Sequence, residues 1–378
     1  MENTKTPYYY YDINILRNSL QAVVDESSRY NYKVHYAIKA NANPDILEII
    51  SSYNLGADCV SGNEITRALE TGFLSDRIVY AGVGKSDEEI ITAIENNIFC
   101  FNCESSSEIE VINYIAQTLN KNVNIALRIN PNIDAKTHKY ITTGLRRNKF
   151  GINVEEINSV IDQVNQCENI TLIGIHFHIG SQINNMNIFK ELCLKINTIQ
   201  TIFINRKVKI QHINVGGGLG INYEEPEKEL IANFKEYFKT FADNLKVAKG
   251  QDIHFELGRS IVGQCGFLIS KVLYTKETTD SKIAILDAGM SDLLRPALYN
   301  AYHKIENISS NGDLELYDIV GPICESADTF GKDVLVNEIN RNDLIKIHSA
   351  GAYGEVMASE YNLRRKISGR LIPYTTDT

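Results

Sequence analysis

Residues 33–41 read KVHYAIKAN, a short run of strand-favouring residues that ends on a lysine. Directly behind it, NPDILEIISSY (43–53) places apolar residues at i, i+3 and i+4, the spacing of a helix with one buried face. The same pair of textures recurs along the chain. Strand candidates are LGADCVS from Leu55, RIVYAG from Arg77, IFCFNCES from Ile98, VNIALRIN from Val123, LIGIHFHIG from Leu172, IQHINVGGG from Ile210 and DIHFELGRS from Asp252. Helical segments between them include GNEITRALETG, SDEEIITAIENN, VEEINSVIDQVNQC and the stretch from Glu227 to Gly250. Counting the first, eight strands alternate with helices. That is the arithmetic of a (β/α)8 barrel, because parallel strands need helical crossovers and closure removes the sheet edges. An open doubly wound sheet is the runner-up, but no GxGxxG follows the first strand, which weakens its dinucleotide-binding version.

The texture changes after Arg259 to strand-like runs without long helices: FLISKVLYTKE, KIAILDAG, VLVNEI and DLIKIHSAG. The expected organisation is an α/β barrel over 13–258 followed by a β-rich domain over 259–378. The amino-terminal strand in YYYYD, within 1–12, is expected to join that second domain. A chain of 378 residues suits two domains of this kind.

Composition narrows the function. A net charge of -9 argues against a nucleic-acid surface, which needs a concentrated basic face. No apolar run is long enough to span a membrane, and MENTKTPYYYYD lacks the basic and apolar regions of a secretory signal, so a cytoplasmic enzyme with small-molecule partners is expected. The seven cysteines, 59, 100, 103, 167, 193, 265 and 324, are odd in number and scattered, as reduced thiols would be. Cys100 and Cys103 form a lone CxxC, which without a second pair or a nearby histidine reads as buried thiols rather than a metal site.

Barrel enzymes carry their chemistry at the carboxyl ends of the strands. Those ends supply Lys39, Asp58, Ser61, Arg128, His176, His178, Ser181, Gly216 to Gly218, Glu256, Gly258 and Arg259. A lysine closing an apolar strand cannot enter a packed layer without losing its hydration, so it faces solvent or a site, and a desolvated amine is the kind that condenses with carbonyls. The VGGGLG turn offers backbone N–H groups without side chains, a device for holding phosphate, at the place where barrels commonly bind one. Lysine with a phosphate cradle points to pyridoxal phosphate, and Glu256 is placed to keep a pyridine nitrogen protonated. An ion pair with Arg259 is the plainer reading of that carboxylate. His178 is read as stacking on the ring, and His176, two residues back on the same face, as packed deeper.

At these residues the sequence resembles the alanine-racemase-like, fold type III group of pyridoxal enzymes and, within it, the diaminopimelate decarboxylases. HYAIKAN, GIHFHIGSQ, NVGGGLGI, ELGRSIV, DAGMSDLLRPALY, GPICESADTF and GAYGEVMASEYN follow in the family's order and cover nearly the whole chain. The resemblance implies pyridoxal 5'-phosphate as cofactor, Lys39 as Schiff-base lysine, His178 as stacking residue and Glu256 as partner of the pyridine nitrogen. It puts phosphate contacts at Ser181, at the glycines of VGGGLG including Gly217 and Gly218, and at Gly258 and Arg259, with Tyr353 closing the pocket; Asp58, at its strand end, is also expected to bind the cofactor. Arg259, Arg295 and Tyr299, with Tyr353 closing the pocket, are implied to hold the substrate carboxylate remote from the reaction, and Glu325 to meet its far amino group. Cys324 matches the family's proton donor, contributed by the neighbouring subunit of a homodimer. Two departures are visible: Leu257 stands where the family has proline, and little precedes YYYYD.

The activity so implied is decarboxylation of meso-diaminopimelate to lysine and CO2, the last step of lysine biosynthesis. A decarboxylase of ornithine, arginine or carboxynorspermidine is disfavoured because such substrates offer no second carboxylate to Arg295. A racemase would lack the GPICES donor segment. A non-catalytic relative would be expected to have lost Lys39 or Cys324.

Overall fold

The computed structural model describes residues 5–133 and 149–372. The chain divides into two compact units, one formed by Leu20–Gly220 and Asn233–Gly258, the other by Met1–Ser19, Ile221–Ala232 and Arg259–Thr378. The outermost parts of the expected second domain, 1–4 and 373–378, lie outside the described residues.

Strand β1 (Tyr8–Asp12) belongs to the second unit. In the first unit β2 (Lys33–Ala37), β3 (Gly56–Cys59), β4 (Ile78–Tyr80), β5 (Cys100–Cys103) and β6 (Val123–Asn130) pair in sequence order, all parallel. The two-residue β7 (Ile152–Asn153) extends the edge of β6, while β8 (Ile170–His176), β9 (His212–Asn214) and β10 (Asp252–Leu257) continue from β6 back to β2. The result is a closed eight-stranded parallel barrel, the architecture read from the alternation.

Local chemistry starts the helices where the strands stop. Asn43 accepts from the Asp45 N–H ahead of α2 (Pro44–Ser52), Ser61 from Glu64 at α3 (Gly62–Glu70), and Ser105 from Glu108 at α5 (Ser106–Thr118). At α4 (Asp87–Glu95), Ser86 and Glu89 cap each other's backbone reciprocally. Each cap satisfies a donor the helix itself cannot, worth about 1 kcal/mol.

One expected helix is shorter than its apolar residues indicated. Of Glu227 to Gly250 only α8 (Phe234–Asn244) is α-helical, after α6 (Ile157–Val164) and α7 (Met186–Asn205), and 221–232 belongs to the other unit. Asn233 caps α8 through the Glu236 N–H, and Phe234, Tyr237, Phe238 and Phe241 form its buried stripe. Leu230 and Ile231 fall outside that stripe and stay exposed. The stripe packs edge-on against β10 and α7, with Phe238–Phe255 ring centroids 4.9 Å and Phe189–Tyr237 centroids 4.8 Å apart.

The second unit is a mostly antiparallel sheet. Strand β11 (Gly266–Glu277) is its spine, pairing with β1, with β12 (Lys282–Leu286) and with β16 (Leu344–Ile347). Strand β13 (Ile305–Asn307) adds to β16, β14 (Leu314–Val320) runs parallel to β12, β15 (Thr329–Asn337) completes that edge, and β17 (Gly369–Ile372) lies parallel to β1. The tyrosine run of β1 is anchored inward: Tyr9 donates to the Asp292 carbonyl at 2.6 Å and Tyr11 to Glu355 at 2.7 Å. Among the described residues no helix is long and apolar enough to cross a membrane.

Candidate active site

Lys39 lies in a single 3-10 turn directly after β2, between buried Ile38 and Ala40, so its side chain alone escapes the packed layer. Its Nζ donates to Asp58 Oδ2 at 2.6 Å; the lysine side chain is 36% exposed and the aspartate side chain fully buried. That asymmetry makes the lysine the accessible member of the pair. Gly258 leaves room for the turn, since a Cβ there would press on Ala37 and Ala40.

Glu256, near the end of β10, is gripped from three strands. Its Oε1 accepts from Asn214 at 2.7 Å and Asn102 at 3.2 Å, and its Oε2 takes His176 Nε2 at 3.0 Å. Burial works against the charge, yet His176 and the Lys39 ammonium hold the Glu256 carboxyl below the usual carboxylate range. Asp58 moves the other way: burial and the Glu256 charge raise its pKa to about 6, against the pull of Lys39. Two nearby carboxyls driven apart in this way mark a site that distinguishes acid from base.

Lys39, His176, His178, Glu256 and Arg128 line one cavity of about 400 Å³, together with Gly82, Gly84 and Phe150. Arg128 is itself held by Glu104 at 2.5 Å and lies over the Phe150 ring at 4.7 Å. His178 Nδ1 accepts the Gly217 N–H at 3.4 Å, and burial, Arg128 and Lys39 lower its pKa to about 3, so it presents a neutral imidazole. Several polar atoms around this group have no partner: Asp58 Oδ1, Asn102 Oδ1 and His176 Nδ1.

The glycine turn after β9 does more packing than the sequence reading allowed. Gly216 has φ +72°, and a Cβ at Gly217 would collide with the Glu256 carbonyl oxygen. The Gly216 N–H is already taken by Asn214 Oδ1 at 2.9 Å, so the turn does not offer three open amides. Ser181 lies in the loop after β8.

The second unit carries its own cationic cluster. Arg259 opens α9 (Arg259–Val262) and Arg295 opens α10 (Arg295–Tyr299), and both are buried, at 6% exposure each. The two guanidiniums share Tyr223: Arg259 donates to its hydroxyl at 2.6 Å, and Arg295 lies 4.8 Å from its ring centre. Tyr353 sits under Arg259 at 4.9 Å, and Tyr299 is partly buried at the end of α10. Cys324 and Glu325 occupy the exposed loop between β14 and β15, where Glu325 accepts from the Tyr361 hydroxyl at 2.6 Å.

Sequence reading thus found Lys39, Asp58, His178 and Glu256, which the barrel does bring together. His176, read as deeper packing, is a direct partner of Glu256. Asn102, Asn214, Arg128 and Tyr223 were not assigned. The available signal was a polar side chain inside an apolar strand, as in CFNC and HIN, where burial demands a partner.

A profile of the family "Pyridoxal-dependent decarboxylase, pyridoxal binding domain" matches residues 15–263. The chain is 54% identical to the diaminopimelate decarboxylase of Bacteroides thetaiotaomicron, over 99% of this chain and 96% of that protein. Among solved structures, that of diaminopimelate decarboxylase from Helicobacter pylori complexed with L-lysine superposes with a TM-score of 0.93 at 40% identity, covering 98% of this chain and 92% of that one. The diaminopimelate decarboxylase from M. jannaschii in co-complex with L-lysine gives 0.90 at 36% identity, covering 97% and 87%.

Proposed function

The chain belongs to the pyridoxal-dependent diaminopimelate decarboxylases, and from that premise we propose how its own residues divide the work of converting meso-2,6-diaminopimelate to L-lysine and CO2 as the last step of lysine biosynthesis. Its cofactor is pyridoxal 5'-phosphate. The donor set of the barrel cavity fits that group: an accessible amine, an ionised carboxylate, a neutral imidazole and unpartnered polar atoms. The observation that carries the reading is Lys39 and Glu256 lining the same cavity, with Glu256 held ionised by His176 and two asparagines.

Lys39 would hold the cofactor through its amine, which Asp58 orients. Glu256 would accept a hydrogen bond from the protonated ring nitrogen and so keep it protonated, and His178 would cover a ring face. Ser181, Gly217, Gly218, Gly258 and Arg259 would hold the cofactor's phosphate, with Tyr353 closing the pocket. When bound, the cofactor supplies an electron sink for the carbon that loses its carboxylate. Arg259, Arg295 and Tyr299 receive the substrate's remote carboxylate, Tyr353 bounds the pocket, and Glu325 receives the far ammonium. A guanidinium fork suits a carboxylate and would be costly to bury without one.

Cys324 delivers a proton to the product carbon, from the partner subunit of a homodimer. Its exposed loop supports a role toward a second copy. Mixing Lys39→Ala with Cys324→Ala protein tests this: random reassortment is expected to restore about a quarter of wild-type activity, because half the dimers then hold one intact site. No recovery would place Lys39 and Cys324 of the same chain in one site.

Substrate choice is tested by CO2 release from meso-diaminopimelate, L-ornithine and L-arginine, beside a Lys39→Ala control. Release from diaminopimelate alone, absent in the control, is expected; release only from ornithine or arginine would overturn the role given to Arg295.

A further inference from the structure

Arg295 is a buried cation with an unusual set of neighbours. Among the described residues it forms no ion pair. Its Nη1 donates to His303 Nε2 at 2.7 Å, its guanidinium lies over Tyr223, and its Nε is buried with no partner at all. Burial and the Arg259 charge both work against its ionisation, while Tyr223 favours it.

The histidine's role follows from its other nitrogen. His303 Nδ1 lies 2.8 Å from the His348 carbonyl oxygen, which can only accept, so Nδ1 carries the proton. Nε2 therefore presents a lone pair and receives the Arg295 N–H. The ring is buried at 2% exposure and stands edge-on to Tyr223 at 5.2 Å, so its orientation is fixed on three sides. Burial and the two arginines keep it neutral, lowering its pKa to about 3.

A buried arginine is ordinarily positioned by a carboxylate, which also cancels its charge. We propose that His303 is a positioning residue that fixes the Arg295 guanidinium through a neutral acceptor, leaving its charge uncancelled for the carboxylate of the substrate's non-reacting α-amino acid end. This rests on the substrate role proposed above for Arg295. It explains why the acceptor is an imidazole: an acidic side chain at 303 would hold the arginine equally well and compete with the ligand.

Three variants in the holoenzyme separate this from a packing role: His303→Ala, His303→Gln, whose Oε1 can accept where Nε2 does, and His303→Glu. Each is assayed for kcat and KM with meso-diaminopimelate, and for L-lysine binding by calorimetry, with bound-cofactor absorbance reporting an intact fold. Loss of a hydrogen bond to a charged group corresponds to roughly ten- to a hundredfold, so His303→Ala and His303→Glu are expected to raise KM and weaken L-lysine by that factor with kcat little changed. His303→Gln is expected to recover most of it, and His303→Ala to add nothing in an Arg295→Ala background. A His303→Glu protein that binds L-lysine as the wild type does, or additive effects of His303→Ala and Arg295→Ala, would overturn the proposal. If Arg295→Ala itself leaves KM and L-lysine binding unchanged, it is the substrate role of Arg295 that fails.

Discussion

At the carboxyl end of the barrel, Lys39, Arg128, His176, His178 and Glu256 border a cavity of about 400 Å³; at the amino end, Lys33, His35, Arg77, Phe99, Asp252 and His254 border one of about 450 Å³. The amino-end cavity is the larger, and its floor is also titratable. His35 Nδ1 donates to the Arg77 carbonyl at 3.0 Å, so its Nε2 accepts from His254 Nδ1 at 2.8 Å. His212 stacks on His254 at 4.5 Å and beside Phe99 at 5.4 Å, with both ring nitrogens buried and unpartnered. Burial dominates there: all three imidazoles have lowered pKa values and serve as aromatic filling. At the other end each charge meets a partner, Lys39 with Asp58, Arg128 with Glu104 and Glu256 with His176, so the ions persist out of water. Cavity size does not separate the two ends; the buried, mutually partnered charges of Asp58, Glu104, Arg128 and Glu256 do.

The largest effect that would sharpen this contrast belongs to Glu256. Glu256→Gln keeps the shape and removes the ion, and is expected to lower kcat on the order of 10²–10³-fold, the scale of losing one preorganised electrostatic contact. Unchanged kcat would mean that the charge, however well held, is not used. Next comes His176→Ala, expected to lower kcat roughly tenfold or more through loss of a hydrogen bond to a charged group. Because His176 holds the Glu256 carboxyl down, its removal lets that pKa rise, and the acid limb of the pH-rate profile should move to higher pH. An unmoved limb would leave His176 as packing only.

The smallest effect on catalysis belongs to the amino end, where the readout is stability. The His212 pKa falls from 6.5 in the unfolded chain to about 3 in the folded one. Below 6.5 the unfolded state takes up a proton that the folded state refuses, so the stability present above that pH is lost as pH falls toward 3. The slope is about 1.4 kcal/mol per pH unit for one such group. Thermal melts of His212→Phe between pH 4 and 7 should therefore fall less steeply with acidity than those of wild type, with turnover at neutral pH unaltered. A parallel fall in both proteins would mean that His212 is not the acid-sensitive group, and lost turnover would erase the distinction between the two ends.

How far the sequence carried depends on how local each feature is. The eight strands were readable because each is a short run closed by a polar break, with Ser61, Ser86 and Ser105 capping the helix that follows. Lys39 was readable because one lysine ends an apolar strand. The partners of Glu256 were not: Asn102 and His176 lie 154 and 80 residues away, and only barrel closure brings their strands to face it. That the Gly216 N–H is committed to Asn214 Oδ1, leaving fewer open amides in the glycine turn, was not readable from the run of glycines itself. The helix over 227–250 was over-extended because Leu230 and Ile231 are apolar without sharing the buried stripe of α8.

The most direct test of the carboxyl-end site is chemical. The holoenzyme is reduced with borohydride, digested, and its peptides searched by mass for the phosphopyridoxyl group. Modification of Lys39 alone is the expected result. Modification of another lysine, or of none, would contradict the assignment of Lys39 as the attachment point and with it the reading of the charged end of the barrel as the active site.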